Sequence, residues 1–432
     1  MILSINFSRN LNQFGRIWDS YWFQPAPILN LAICRIIIIA FQLYHIIVQN
    51  DFLGTILERA TRPGAKYNPT LVVKLLSLPF GLNTAPPDWF LTSIFWLSII
   101  AGFFSLFGFK TNFSLIVFAV GNLFLQGYVY SFGKFHHPEA LMIIALLILA
   151  LSPAGRVLSV DDLGKRIKLN VKRKNFTIFS ITEEQSLFAR WPIILLWWMF
   201  AFVYLSAAVF KLVRGGLDWL NGYTLQAYLL SDGLTWDRPL GIWLAQQHTL
   251  ALIFSYVAVL YEGTFFLVLI FPRLVWLYIP MGAAFHTGIY LAQMAPFFQY
   301  IAIYSVFIPW TSIINSFSAH QKFCQEGNKS EILYNGLSAN YIRLITFFCY
   351  FDWFKRLIYS DIEVRWQSLS QTHPHISLEE SKQEIHILLP NGATRKGLFA
   401  IREILWRLPI LWPLLPITYL PGVSTIVPKI YS

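Results

Sequence analysis

Long apolar runs separated by short polar or basic segments make up most of the chain, and most runs are long enough to cross a bilayer as a helix. Spans are expected at about 28–48, 90–109, 112–132, 140–153, 191–211, 249–271, 274–292 and 296–314. Ahead of them, residues 3–23 set Phe7, Leu11, Phe14, Trp18 and Tyr21 at alternating spacings of four and three, with Arg9 and Arg16 off that face. This pattern predicts an amphipathic helix on the membrane surface within 1–27, ended by Pro25 and Pro27. Beyond the last span a polar linker, 316–330, leads to a second domain, 331–432. There Glu331 to Gly336 reads as a short strand entering a turn, and Tyr341 to Leu357 as a helix. The stretch 404–423 is apolar, but Pro409, Pro413, Pro416 and Pro421 would break a spanning helix repeatedly, so it reads as a surface-associated tail.

Composition agrees with this pattern. Hydrophobic residues are 56% of the chain, charged residues 13%, and mean hydropathy is +0.53, which excludes an ordinary soluble protein. The net charge of +11 sits in short loops, as the positive-inside rule expects, so the partner it implies is anionic lipid at the cytoplasmic face and not nucleic acid. The segment 154–190 carries Arg156, Lys165, Arg166, Lys168, Lys172, Arg173, Lys174 and Arg190 and is expected in the cytoplasm. The span at 191–211 then runs outward, and eight spans put both termini inside, in a plasma (inner) membrane. No cleavable signal peptide is expected. The cysteines Cys34, Cys324 and Cys349 have neither disulfide nor zinc spacing.

Polar residues in or beside the spans are the candidates for chemistry. Arg35 lies inside the first span, where it costs about 2.5–3.5 kcal/mol on insertion scales and must find a partner, by default a salt bridge or a carbonyl. Between the third and fourth spans stand His136, His137 and Glu139. Adjacent histidines rarely point at one ion, so no metal is expected, and a proton-handling role beside a pocket is the better reading. Lys211 ends the fifth span and is followed by Trp219, Gly222 and Tyr223. It has two readings: a lysine that snorkels to the headgroups, or a neutral amine at the edge of the hydrocarbon that acts as a base. Glu262 lies in the sixth span and His286 in the seventh, and the expected topology brings His137, Lys211 and His286 to the outer side.

The segments Ala207-Ala208-Val209-Phe210-Lys211-Leu212 and Asp218-Trp219-Leu220-Asn221-Gly222-Tyr223 resemble the signature of the horizontally transferred transmembrane domain, shared with vitamin K-dependent gamma-carboxylase. His137 ahead of Leu151-Ser152-Pro153 and Ser159-Val160-Asp161, and Phe285-His286 ahead of Pro309-Trp310, agree with it across roughly 10–315. The resemblance implies a reduced, vitamin K-like quinone as cofactor, Lys211 as the base that deprotonates it and His137 as a supporting residue, with His136, His286, Trp219, Gly222, Tyr223, Glu262 and Arg35 around the pocket. The sequence departs at Phe210 and His136, where carboxylases carry lysine and asparagine. It also lacks the large domain that holds their protein substrate. Two classes follow: a quinol-dependent enzyme that modifies a peptide, or a non-catalytic membrane factor for peptide binding, maturation or export.

The second domain resembles the DCC family of thioredoxin-like oxidoreductases, in which a strand ends in Asp-Gly-x-Cys-x-x-Cys at the start of a helix. Here Asn335, Ser338 and Tyr341 occupy the Asp and the two Cys positions. Without a thiolate the domain is expected to be redox-inactive. The expected fold is thus a polytopic α-helical membrane protein of about eight transmembrane helices with a small C-terminal α/β thioredoxin-like domain.

Overall fold

The computed structural model describes residues 15–49, 51–133, 137–320 and 327–423, with nothing stated for the side chains of Gln49 and His137. Most of the expected surface helix, including Phe7, Arg9, Leu11 and Phe14, lies outside the described residues, as do His136 and Cys324. The described chain divides into two compact units, a helical one (1–26, 30–154, 186–308) and a second one (27–29, 155–185, 309–432).

The helical unit opens with α1 (15–22), whose Tyr21 accepts a hydrogen bond from Arg190 at its carbonyl (2.7 Å) and one from Trp198 Nε1 at its hydroxyl (3.0 Å). Next is α2 (Ile28–Tyr44), whose helical run extends to Val48. Its buried stripe passes through Leu31, Arg35, Ile38 and Gln42, the one-turn and two-turn spacings of a helix face. Each of the two polar members of that stripe makes a hydrogen bond to another helix or its end. Arg35 is wholly buried and donates to the Ala154 carbonyl at 2.8 Å, the carbonyl contact expected of it, and Gln42 donates to Asn122 Oδ1 at 2.8 Å.

Two short helices, α3 (Phe52–Arg59) and α4 (Leu71–Leu76), lead to the hairpin of α5 (Asp88–Phe107) and α6 (Thr111–Tyr130). Small residues let these two backbones approach: Gly121 faces Ser98, and a Cβ at Gly102 would lie 2.6 Å from Leu43 and 2.9 Å from Phe118. The opposite face of α5 exposes Trp89, Trp96, Ile100, Phe103 and Phe107, a surface suited to lipid and costly in water. Then comes α7 (His137–Leu151), 15 residues long, and the span expected at 296–314 is not one continuous helix.

Further along are α9 (Arg190–Gly215), the short α10 (Tyr223–Thr235) and α11 (Pro239–Ala245), α12 (His248–Thr264), α13 (Leu267–Ile270), α14 (Val275–Gln293) and α15 (Phe298–Ile303), with α8 (Val160–Arg173) belonging to the second unit. Among the described residues six helices are long and apolar enough to cross a membrane, at 28–48, 88–107, 111–130, 190–221, 248–270 and 272–293.

The second unit is built on a four-stranded sheet of β1 (Ser330–Tyr334), β2 (Leu357–Asp361), β3 (His386–Leu388) and β4 (Thr394–Lys396), in the order β2-β1-β3-β4. The central strand β1 pairs parallel with β2, Ile332 opposite Tyr359, and antiparallel with β3, Ile332 opposite Ile387. Around the sheet lie α17 (Ala339–Phe351), α18 (Ile362–Thr372), α19 (Leu378–Gln383) and α20 (Gly397–Arg407), and α16 (Trp310–His320) precedes it in the chain.

Three expectations change here. The unit is not the linear segment 331–432, because 155–185 belongs to it. Helix α8 packs on α17, where Asn170 donates to Thr346 Oγ1 (3.1 Å), Tyr350 accepts from the Ser159 amide (3.2 Å), and Phe176 enters the sheet's core. Secondly, the helix expected to run to Leu357 stops at Phe351. Asp352 ends it by accepting from the Arg356 and Leu357 amides (2.9 and 3.1 Å), which starts β2 instead. Finally, the tail is only partly on the surface. After α20 it continues as single turns at Pro409–Leu414 and Pro416–Tyr419, and Leu408 and Leu411 are buried in this unit.

Candidate functional site

A cavity of about 1230 Å³ lies within the helical unit, walled by α9, α12, α14 and the α10–α11 pair. Its lining is mostly apolar, from residues such as Phe202, Leu229, Val257 and Ile289, and the polar groups are few and grouped. That is the usual make-up of a site for an apolar ligand with a polar head.

The first group is Lys211 with Glu262. Lys211 is one turn from the end of α9, and its amine forms an ion pair and hydrogen bond with the carboxylate of Glu262 on α12. Glu262 is buried and the lysine side chain is 21% exposed, so the amine turns toward the cavity wall as its stem runs along it. Trp219 completes the group, with Lys211 Nζ 5.2 Å from its ring centroid. The chain returns there because α9 ends on Gly215-Gly216. Gly216 has φ +58°, a conformation unfavourable for other residues, and a Cβ on Gly215 would lie 2.8 Å from the Trp219 ring.

The second group is a hydrogen-bonded cluster. Tyr204 is two helical turns before Lys211 on α9, about 10 Å along the axis. Its hydroxyl contacts both His286 Nε2 (2.7 Å) and the hydroxyl of Tyr304. Tyr261, next to Glu262 on α12, reaches Tyr304 at 3.5 Å and donates to the Tyr278 carbonyl at 3.3 Å. His286 is 3% exposed, and its Nδ1 has no hydrogen-bond partner among the described residues. Gly282 on α14 makes room for the cluster, since a side chain there would meet the hydroxyls of Tyr261 and Tyr304.

Of the residues singled out in the sequence, Lys211, Trp219, Glu262 and His286 therefore meet on one cavity. Arg35, Gly222 and Tyr223 do not line it. Arg35 serves α2, Gly222 packs against the Leu252 backbone at the start of α10, and Tyr223 is exposed and stacks on His248 at 4.4 Å. His137 is the first residue of α7, with no side-chain contact described, and His136 is outside the described residues. Sequence reasoning missed Tyr204, Tyr261 and Tyr304. A tyrosine in an apolar run is ordinary, and only the packing of α9, α12 and the turn after α15 (Tyr304–Phe307) places three hydroxyls together.

At the start of α17, Asn335, Ser338 and Tyr341 serve the local fold. Ser338 caps α17, Tyr341 is buried, and Asn335 Oδ1 accepts from the Leu337 amide at 3.0 Å. Cys349 donates to the Phe179 carbonyl (3.2 Å), and burial pushes its thiol up to about 12. Among the described residues no group of His, Cys, Asp and Glu is arranged to hold a metal ion. Compared with family models, curated proteins and solved structures, the chain matches none of them.

Proposed function

We propose that the chain is a multi-pass membrane protein whose helical unit takes a lipid-soluble quinol into the cavity and removes a proton from it with Lys211, in the service of modifying a peptide. The observation that carries this reading is the Lys211–Glu262 pair on the wall of a large, mostly apolar cavity among membrane-length helices. The fit of a quinol rests on the same lining: apolar side chains suit a ring and its hydrocarbon tail, and Lys211, Tyr204 and His286 offer polar contacts for a hydroxylated head. A bound quinol would supply an acidic O–H whose oxygen becomes a nucleophilic anion. Within the pair Lys211 first passes an ammonium proton to Glu262, and the neutral amine then accepts the quinol proton as N–H forms, leaving Glu262 protonated and Trp219 covering the amine. The resemblance to the gamma-carboxylase membrane domain points the same way.

The remaining parts of the proposal are architectural. Adding α7 and the segment 298–320 to the six long helices gives eight spans, with both termini and the basic 154–190 segment in the cytoplasm of an inner membrane, against anionic lipid. The order β1-α17-β2-α18-α19-β3-β4-α20, with β1 parallel to β2 and antiparallel to β3, supports a thioredoxin-like, DCC-related unit with α19 as an added helix. The loss of its thiols favours a second reading, in which this unit only docks a peptide and the protein is a membrane factor without chemistry.

The test separates the two. The protein in nanodiscs is titrated with reduced menaquinone or vitamin K while the Trp219 part of the emission is taken as the difference between wild type and Trp219→Phe, and peptides co-purified from the host are analysed by mass spectrometry. Lys211→Arg keeps the charge but stays protonated, so it should lower modification by about a hundredfold or more while expression stays normal. Quinol binding that leaves Trp219 unaffected, or full modification by Lys211→Arg, would reject the catalytic reading in favour of the membrane factor.

A further inference from the structure

Helix α20 is two-faced in an unusual way. Its inner face, Ala400, Ile401, Ile404 and Leu405, is buried against the sheet of the second unit. Its outer stripe runs Phe399, Arg402, Trp406, and the two aromatic members are 64% and 61% exposed. The single turns that follow fold back over this stripe and do not cover it. Trp412 stacks on Trp406 with centroids 5.8 Å apart, and the Arg402 guanidinium lies 4.1 Å from the Tyr419 ring and 5.5 Å from that of Phe399. Arg402 also donates to the Thr418 carbonyl at 2.6 Å, which pins the turn. Leu414, Ile417, Tyr419 and Leu420 add to the exposed apolar surface.

We propose that this patch, formed by α20 and residues 409–420, is seated in the headgroup interface of a lipid bilayer and anchors the second unit there. Three observations select lipid over other occupants. Trp and Tyr with interleaved arginine are the side chains that the interface favours, because each has an apolar body and a polar tip. The charge is complementary to anionic headgroups: of the basic residues in 395–423, Lys396 pairs with Glu380 and Arg407 with Glu403, which leaves Arg395 and Arg402 with no acid of this segment against them. The bilayer is also within reach of the chain, since the unit's segments join apolar helices directly, 155–185 lying between α7 and α9 and 309 following α15. Prolines 409, 413 and 416 keep the tail in short turns, so it lies along a surface and does not cross.

An environment-sensitive fluorescent amino acid is placed, one at a time, at Phe399, Trp412 and Val364 in the full chain reconstituted into nanodiscs of phosphatidylcholine with phosphatidylglycerol. Val364 on α18 is the control, being 85% exposed but outside the patch. A lipid-borne quencher should reduce emission about twofold or more at positions 399 and 412, and an aqueous quencher should act chiefly at 364. Replacing Trp406 and Trp412 together by Ser should return residual emission at 399 to the level seen at 364. Equal aqueous quenching at all three positions overturns the proposal. So does protection at 399 and 412 without lipid quenching, which would indicate a second copy or another protein on the patch.

Discussion

Lys211 and Glu262 lie 51 positions apart, and both stood out in the sequence because charge is costly inside apolar runs. Their pairing was not readable, since it depends on which faces of α9 and α12 turn to each other. Asp352 is the converse case, an acid that looked like an ordinary position within a helix. In the structure it is buried, accepts the Arg356 and Leu357 amides, and ends α17; burial, only partly offset by those bonds, raises its carboxyl to about 6. The folded state therefore binds this proton more tightly than the unfolded chain. The group's contribution is most favourable below about pH 4 and is lost as pH rises through 6, a cost of about 3 kcal/mol at neutrality. The denaturation midpoint of the second unit in the wild type, less that in Asp352→Asn, should fall between pH 4 and 7. A difference that is flat or rises over that range contradicts the assignment.

Element pairs show the same division. The apolar runs of α9, α12 and α14 were legible, whereas the use of Gly282 was not, because a glycine in an apolar run has many roles. Here it accommodates two tyrosine hydroxyls, so Gly282→Ala should force Tyr261 and Tyr304 apart and cost about 1–3 kcal/mol. Gly288→Ala on the same helix, with nothing within 4 Å, should leave the thermal midpoint in detergent near that of the wild type. If both variants melt alike, the tyrosine cluster is not held by that glycine. Where β1 leads into α17 the chain carries Ser338 and Tyr341, neither of which is a thiol, and Cys349 farther along α17 is buried with its thiol pushed up to about 12. An insulin-reduction assay on the whole protein should show no turnover above buffer. Turnover abolished by Cys349→Ser would refute this.

At the scale of the whole molecule, the basic loop makes a prediction about orientation. Lys168 is an exposed residue of α8, and a cysteine placed there should be inert to an impermeant thiol reagent added to intact cells and reactive after lysis. Labelling from outside would reverse the proposed topology. The sequence by itself determined the place of the six long apolar helices and the two-part organisation, because these depend on local composition. The tertiary structure decided that 155–185 joins the second unit through Asn170 and Phe176, that Lys211 and His286 share a cavity while Tyr223 and Arg35 lie outside it, and that Tyr204, Tyr261 and Tyr304 meet. Those outcomes depend on which helix faces pack together. In an almost uniformly apolar run many faces are energetically equivalent, so their choice rests on small residues and on hydrogen bonds between distant segments.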